Sequence, residues 1–548
     1  MSGVLIAAVA LPLIAALAIL LLRLTAPTGA RVAIGASVAA FVAALVTLVM
    51  TALDGPTSAV VTDDAGRAVL GLAADRIGGV LITLTTLVGL IVQSFASRSL
   101  LGDPRARRFH VQALVLTAAA ASVAVAATGS GLLVAWVATS IALVALLGHR
   151  APWAPAVAAQ RRTAWSFVLG DLALLVAVIV TVATVGDIDL RSVGADATAL
   201  GTEQIAGASA LTIVAILLVL AGVARSALIP IHRWLPSTLA APTPVSALLH
   251  AGVVNGAGVL LIRLSPIYGS SAAAMTLAFV LGMLTALIAT AVMLVRTDVK
   301  GGLVWSTSGQ MGFMVLQLGV GAFAAALFHI VGHALYKAAM FLGAGGAISA
   351  HQRQTQRPHL GARDASTLCS APVRLLVGLV VPLAAFALAL AVIDPHLTAA
   401  ATILIVVFGT LSIGRAANGW MTSTPFSTVA SISSAVGGVL VGAFAYVGGI
   451  TLFEHFVVDV VPYDVPAAVG PVWVGASLGV IALAVGIIAF TPGPSGDDLR
   501  RRMYVWLLST GAPEPIAPPR RSDVPSTTRR PVVAPTTSAA PATLGEPA

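Results

Sequence analysis

The sequence is short of almost everything a soluble enzyme uses. Charged residues fill only 9% of its 548 positions, aromatics 5%, and there is one cysteine. A single thiol, Cys369, excludes a disulfide framework, an iron–sulfur cluster and a cysteine-rich zinc site within the chain. No Walker-type glycine loop or dinucleotide fingerprint occurs, so energy must come from an ion gradient or from another subunit. Lysine is scarcer still, with two lysines against 28 arginines. The net charge of +9 does not point to nucleic acid, because the basic residues sit in short loops and form no extended basic face.

What is abundant is apolar. The chain is 58% hydrophobic with a mean hydropathy of +0.99, far outside the soluble range. Apolar runs of about twenty residues, each long enough for a hydrocarbon core of roughly 30 Å, recur throughout. Unpaired backbone is too costly in lipid, so these runs are expected to be helices. The fold class predicted is all-α, a polytopic membrane protein of about 15 transmembrane helices. Spans are expected at 3–22, 32–53, 78–97, 111–127, 130–148, 164–185, 209–229, 244–264, 275–295, 302–319, 322–345, 373–393, 398–414, 430–450 and 471–491. The first reads as a membrane helix and not a cleavable signal, since no basic segment precedes it and Arg23 follows it.

Loop charge supplies a topology. Arg23 and Arg31, Arg98 to Arg108, Arg150 to Arg162, Arg233, Arg296 and Lys300, Arg353 to Arg363, Arg415 and Arg500 to Arg502 mark one side. Asp54, Asp63 and Asp64, Asp187 to Glu203, Asp394, and Glu454, Asp459 and Asp464 mark the other. Basic excess marks the cytoplasm, so the N-terminus is expected outside and the C-terminus inside a bacterial inner membrane. The divisions expected are N-terminal helices at 1–110, a proton-conducting core at 111–420 and C-terminal helices at 421–495. A short cytoplasmic surface helix at 496–510 would bury Tyr504, Trp506 and Leu507. A disordered tail rich in Pro, Ser and Thr follows at 511–548.

Chemistry concentrates in Phe328–His329–Ile330–Val331–Gly332–His333–Ala334–Leu335–Tyr336–Lys337. His329, His333 and Lys337 are spaced i, i+4, i+8, within roughly 80° of one another and about 6 Å apart along a helix. A polar stripe at bilayer depth normally faces an internal wet path. Histidine titrates near neutrality, and lysine, unlike arginine, is able to release its proton. These are the properties of a proton relay. Two histidines at that spacing also suit a metal, but further ligands are not in sight, and hydrogen-bonded packing is the bland alternative.

A second cluster runs from Ala224–Arg225 through Pro230, His232 and Arg233 to Pro242, Pro244, His250 and Asn255. Pro230 breaks the helix and frees carbonyls able to hydrate a path. Arg225 reads either as part of that path or as a side chain snorkelling to the cytoplasmic interface. Asp171, inside the sixth span with no local cation, should be neutral or paired, with Arg225 its most plausible partner.

Three blocks carry a resemblance: HRWLPSTLAAPTPVSALLHAGVVNGAGVLLIR (232–263), RTDVKGGLVWSTSGQMGFM (296–314) and FHIVGHALYKAAMFLGAG (328–345). They resemble the antiporter-like membrane subunits of respiratory complex I and of multisubunit cation/proton antiporters. The resemblance implies two inverted five-helix repeats with broken helices around a central chain of Lys, His and Glu. By it, His250, His329, His333 and Lys337 fall on proton-path positions, and Arg225 falls where the family usually has lysine. Departures stand beside it. Val137 replaces the fifth-helix acid of complex I members, the 373–393 span offers Pro382 but no central Lys or Glu, and no long lateral helix ends the chain. A charge-pair switch of the complex I kind therefore looks incomplete.

The AWVATS stretch and the HAGVVNGAG block look more like the DabB membrane subunits of energy-coupled inorganic carbon pumps. That likeness implies a soluble DabA-like zinc subunit on the cytoplasmic face as partner, driven by proton flow to hydrate carbon dioxide. No cofactor, metal or catalytic centre is expected in this chain itself. The alternatives are a complex I or hydrogenase subunit, a Na+/H+ antiporter subunit, and a membrane anchor for a soluble enzyme.

Overall fold

Within hydrocarbon a backbone must satisfy its own polar groups, and long helices fill the chain accordingly. The computed structural model describes residues 2–355, 371–423, 428–460 and 469–511. Arg357, Arg363, Cys369, Asp464 and all but Gly511 of the expected tail lie outside the described residues.

The N-terminal part comprises α1 (Ser2–Leu21), α2 (Ala26–Leu53), a hairpin of β1 (Thr57–Thr62) and β2 (Ala68–Ala74), α3 (Arg76–Ser99) and α4 (Ala106–Val125). Then come α5 (Gly129–Leu147), α6 (Ala154–Thr184), the short α7 (Val193–Thr202), a two-residue hairpin of β3 (Gln204–Ile205) and β4 (Ala208–Ser209), and α8 (Ala210–Arg225). An irregular stretch with α9 (Trp234–Ser237) leads to α10 (Thr243–Ala251), α11 (Gly256–Arg263) and α12 (Ser265–Tyr268). The remainder is α13 (Ala272–Val295), α14 (Val299–Gly319), α15 (Phe323–Thr355), α16 (Ala371–Leu375), α17 (Val381–Ile393), α18 (Ala399–Ser423), α19 (Thr428–Val457), α20 (Pro471–Phe490) and α21 (Gly493–Gly511).

Among the described residues, thirteen helical segments are long and apolar enough to cross a membrane. Two further helices fall on expected spans without meeting that measure. One is α8, apolar but only 16 residues long; the other is α14, which carries Ser306, Thr307, Ser308, Gln310 and Gln317. Starts are set locally. Asp75, Thr128 and Asp298 accept the N–H of Gly78, Gly131 and Gly301 at 2.7, 3.0 and 2.7 Å, satisfying donors that a first helical turn leaves free. Between α16 and α17, Leu376–Val380 forms one π-helical turn ahead of Pro382, so the chain bulges there without breaking.

The acid-rich side carries structure that the hydropathy pattern did not predict. β1 and β2 pair antiparallel, and the hairpin is stitched to the 126–129 turn, with Ala127 N–H donating to Gly71 O at 3.1 Å. Gly71 has φ of +146°, and a Cβ there would collide with the Ala59 carbonyl and Val60. Asp189, almost fully buried, ties this cap together. It accepts from Ala68 N–H at 3.0 Å and pairs with Arg191 at 2.6 Å, while its own N–H donates to Asp196 at 2.9 Å. Arg67 reaches the Asp187 carbonyl at 2.6 Å and Asp196 at 3.1 Å.

Two expectations need correction. Glu454 is not a loop residue; it sits in the last turn of α19 and is 4% exposed. In α21 only Leu507 of the three expected side chains is buried, whereas Tyr504 and Trp506 are both half exposed. The helix docks through Met503, Leu507 and Gly511, spaced i, i+4, i+8, against Ala289, Val292 and Trp305, with Arg296 donating to Gly511 O at 3.1 Å. Residues 504 and 506 fall to either side of that stripe, where an interfacial Tyr and Trp suit a membrane boundary.

Burial pushes the Asp189 carboxyl up, but hydrogen bonds from Arg191 and Ala68 outweigh it and leave its pKa at about 2. A lowered folded-state pKa stabilises fully above the unfolded value near 3.9 and is lost as pH falls through about 2. Asp189→Asn should therefore cost about 2 kcal/mol at neutral pH. Melting curves should show a constant deficit from pH 7 to 5 that narrows below about pH 4. A deficit independent of pH would contradict this.

Candidate functional site

The site is built where an apolar helix stops short. α8 ends at Arg225, and residues 226–233 run irregularly past Pro230, with Ala227 at φ +52° in the left-handed region. α10 likewise stops at Ala251, and α11 restarts at Gly256. Side chains rather than open backbone repair much of this damage. Ser226 Oγ donates to Val254 O at 2.5 Å and accepts from Ala257 N–H at 2.9 Å. Trp234 Nε1 donates to Ala224 O and Ser308 Oγ to Ala227 O, at 3.0 and 2.9 Å. Carbonyls freed near Pro230 were expected to hydrate a path, but those of Ala224 and Ala227 are occupied by protein.

Arg225 does not snorkel. It is 2% exposed, its guanidinium carbon 4.2 Å from the Trp136 ring centroid and 4.4 Å from that of Phe167. Nη1 donates to Thr139 Oγ1 at 2.6 Å. Nη2 donates to Ser140 Oγ at 2.7 Å, Trp136 O at 3.1 Å and Asp171 Oδ1 at 3.1 Å. Ser140 Oγ also donates to the same Asp171 oxygen at 3.1 Å. The acid absent at Val137 of α5 is therefore supplied by Asp171 from α6, and the ion pair is complete. Gly256 makes room for it, since a Cβ there would strike the Arg225 stem and Trp136.

The second group lies on α15 and its neighbours. His333 Nε2 lies 3.1 Å from the His250 carbonyl and Nδ1 lies 3.0 Å from Gln310 Oε1. A neutral imidazole donates through one nitrogen only, whereas its cation donates through both. A turn of the Gln310 amide exchanges acceptor for donor at Nδ1, so one geometry serves both charge states. His329 follows, its ring centroid 6.0 Å from that of His333 and 5.6 Å from Phe313. His250 is stacked on Phe341 at 4.2 Å, and its buried Nδ1 has no hydrogen-bond partner among the described residues. Lys337 is wholly buried, and its Nζ donates to Ser306 Oγ at 2.5 Å. It interacts electrostatically with His250, His329 and His333.

The structure thus forms two groups, Arg225 with Asp171, and Lys337 with the three histidines. Beside Arg225 lies a mostly apolar cavity of about 90 Å³, whose wall also includes Thr139, Asn255 and Ile330. The buried Asn255 Oδ1 has no hydrogen-bond partner among the described residues. Among the described residues no three His, Cys, Asp or Glu side chains converge as a metal site. Sequence reasoning assigned no role to Ser306 and Gln310, which hold Lys337 and His333. Their i, i+4 spacing on α14 was the available signal, since it places both on one face.

Residues 130–361 match the membrane domain of the NADH:quinone oxidoreductase/Mrp antiporter family. The Mrp complex from Dietzia sp. DQ12-45-1b shares the fold, with a TM-score of 0.55 at 23% identity over 93% of this chain and 56% of that one. A probable inorganic carbon transporter subunit, DabB1 of Halothiobacillus neapolitanus, is 36% identical over 291 residues, 53% of this chain and 52% of the relative. NAD(P)H-quinone oxidoreductase chain 5 of Synechocystis is 31% identical over 284 residues, 51% of this chain and 41% of the relative. Residues 130–361 thus resemble the antiporter-like membrane subunits, and the chain shares the fold of the Mrp complex. Over about half its length it is similar to DabB inorganic carbon transporter subunits, and it spans about half the length of the curated relatives it matches.

Removing one member of a buried ion pair strands the other charge, at about 3–5 kcal/mol. Asp171→Ala should therefore lower the melting temperature of the purified protein sharply, and Arg225→Met combined with Asp171→Leu should recover most of the loss. An Asp171→Ala protein as stable as wild type would contradict the pairing.

Proposed function

We propose that this chain is the proton-conducting membrane subunit of an inorganic carbon uptake complex, in which the proton gradient drives a soluble, DabA-like zinc subunit on the cytoplasmic face. The observation that carries the reading is Lys337, a fully buried amine inside a span, held by Ser306 and aligned with His329 and His333. Hydrocarbon does not tolerate such a group without a purpose or a partner. Homology to DabB subunits supports the carbon substrate.

The acid-rich face is taken as outside, because basic residues gather on the other. Protons cross among His329, His333, His250 and Lys337, with water bridging gaps of about 6 Å. Each transfer moves a proton from a cationic nitrogen to a neutral one, and rotation of the Gln310 amide keeps His333 hydrogen-bonded in either state. Arg225 retains its proton, so its pair with Asp171 acts as a fixed electrostatic gate beside the path and not as a carrier. In the partner, hydration of carbon dioxide to bicarbonate releases a proton, and directed proton flow makes that step one-way.

The likeness to the quinone oxidoreductase chain favours a second reading, a subunit of a redox-driven pump. Copurification separates the two, since a zinc protein supports the first and iron–sulfur or quinone subunits support the second. Lys337→Ala should abolish partner-dependent carbon uptake in cells while the chain still accumulates in the membrane. Undiminished uptake would remove the relay.

A further inference from the structure

Glu454 belongs to none of the groups above, yet it is an acid buried within a membrane-spanning helix. Its Oε2 accepts the His396 backbone N–H at 3.3 Å. Beside it lies a cavity of about 30 Å³ lined by residues 321–325, 396–398, Glu454 and Val457. That volume matches one water's share of the liquid. Ala325 in this wall is the decisive residue. Ala325, His329, His333 and Lys337 are spaced i, i+4, i+8, i+12, each about 40° and 6 Å from the next. The cavity therefore sits at the foot of the stripe that ends at Lys337. Just inside it α15 and α19 pack tightly, for a Cβ on Gly449 would meet the Phe328 ring at 2.7 Å.

We propose that Glu454 is the proton-collecting residue at the acid-rich mouth of this subunit, delivering protons through one water in this cavity to His329. The carboxylate takes a proton from hydronium, leaving water; it then gives that proton to the neutral imidazole and returns to carboxylate. The idea rests on the relay reading and extends it outward by one helical turn. The titratable groups around Glu454 are His396 in the preceding loop and His455 on its own helix, whose rings are 6.4 Å apart. Further along, Arg76 of α3 binds Asp459 at 2.9 Å and the Phe456 carbonyl at 3.2 Å. Residues 321–325 bring no charge.

The test is proton uptake by liposomes holding the full chain with its copurifying subunits, followed with trapped pyranine under an imposed gradient from the acid-rich side. Glu454→Gln should slow uptake at least tenfold and flatten its dependence on external pH, while Glu454→Asp keeps most of the rate with a shifted profile. Ala325→Val, which fills the cavity without changing charge, should slow uptake with an unshifted profile. Wild-type rates in Glu454→Gln or Ala325→Val overturn the proposal, as does a slowed Glu454→Gln whose pH profile is unchanged. If Glu454→Gln does not accumulate, the Asp and Ala325→Val variants decide by the same criteria. Inactive Lys337→Ala beside active Glu454→Gln sinks this proposal alone, whereas active Lys337→Ala sinks the relay beneath it.

Discussion

The Arg225 guanidinium is almost wholly removed from water, clamped between Trp136 and Phe167 and bonded to Thr139, Ser140 and Asp171. Burying such an ion alone costs several kcal/mol, so its surroundings are arranged around it. α8 stops at it, Gly256 yields space to its stem, and α5 and α6 each contribute acceptors. Ser226 and Ser308 mend the backbone that the interruption exposes. A broken helix is affordable in lipid only where protein groups or water satisfy the loose ends.

Lys337 poses the opposite problem. Its amine is held by a hydroxyl, that of Ser306, and not by an acid among the described residues. A charge that is fixed is best neutralised in place, as Arg225 is by Asp171. A charge that must leave is better held by groups that tolerate both states, such as a hydroxyl and imidazoles backed by a rotatable amide. The two halves of the bundle thus use different chemistry for one constraint, and the arginine-for-lysine exchange at 225 fits an electrostatic element better than a carrier.

Much of this was legible because lipid makes sequence informative. Unbroken apolar runs left no alternative to helices, and the rarity of lysine singled out Lys337. The Arg225–Asp171 contact was legible only as a match of types, because sequence does not show which faces of α6 and α8 meet. The β1–β2 hairpin was missed because short strands in a polar loop carry no period that hydropathy detects. Glu454 was misplaced because a lone acid near a span's end looks the same in a loop as in a last helical turn. Ser306 and Gln310 were not singled out because uncharged polar side chains in a membrane helix do not show from sequence which partner they face.

The central claim is that residue 337 must give up its proton, not merely carry charge. Lys337→Arg tests this most directly, since it keeps the positive charge and a similar reach while holding its proton permanently. In the reconstituted complex the account predicts normal assembly with proton flux lost. Flux at the wild-type rate in that variant would contradict it.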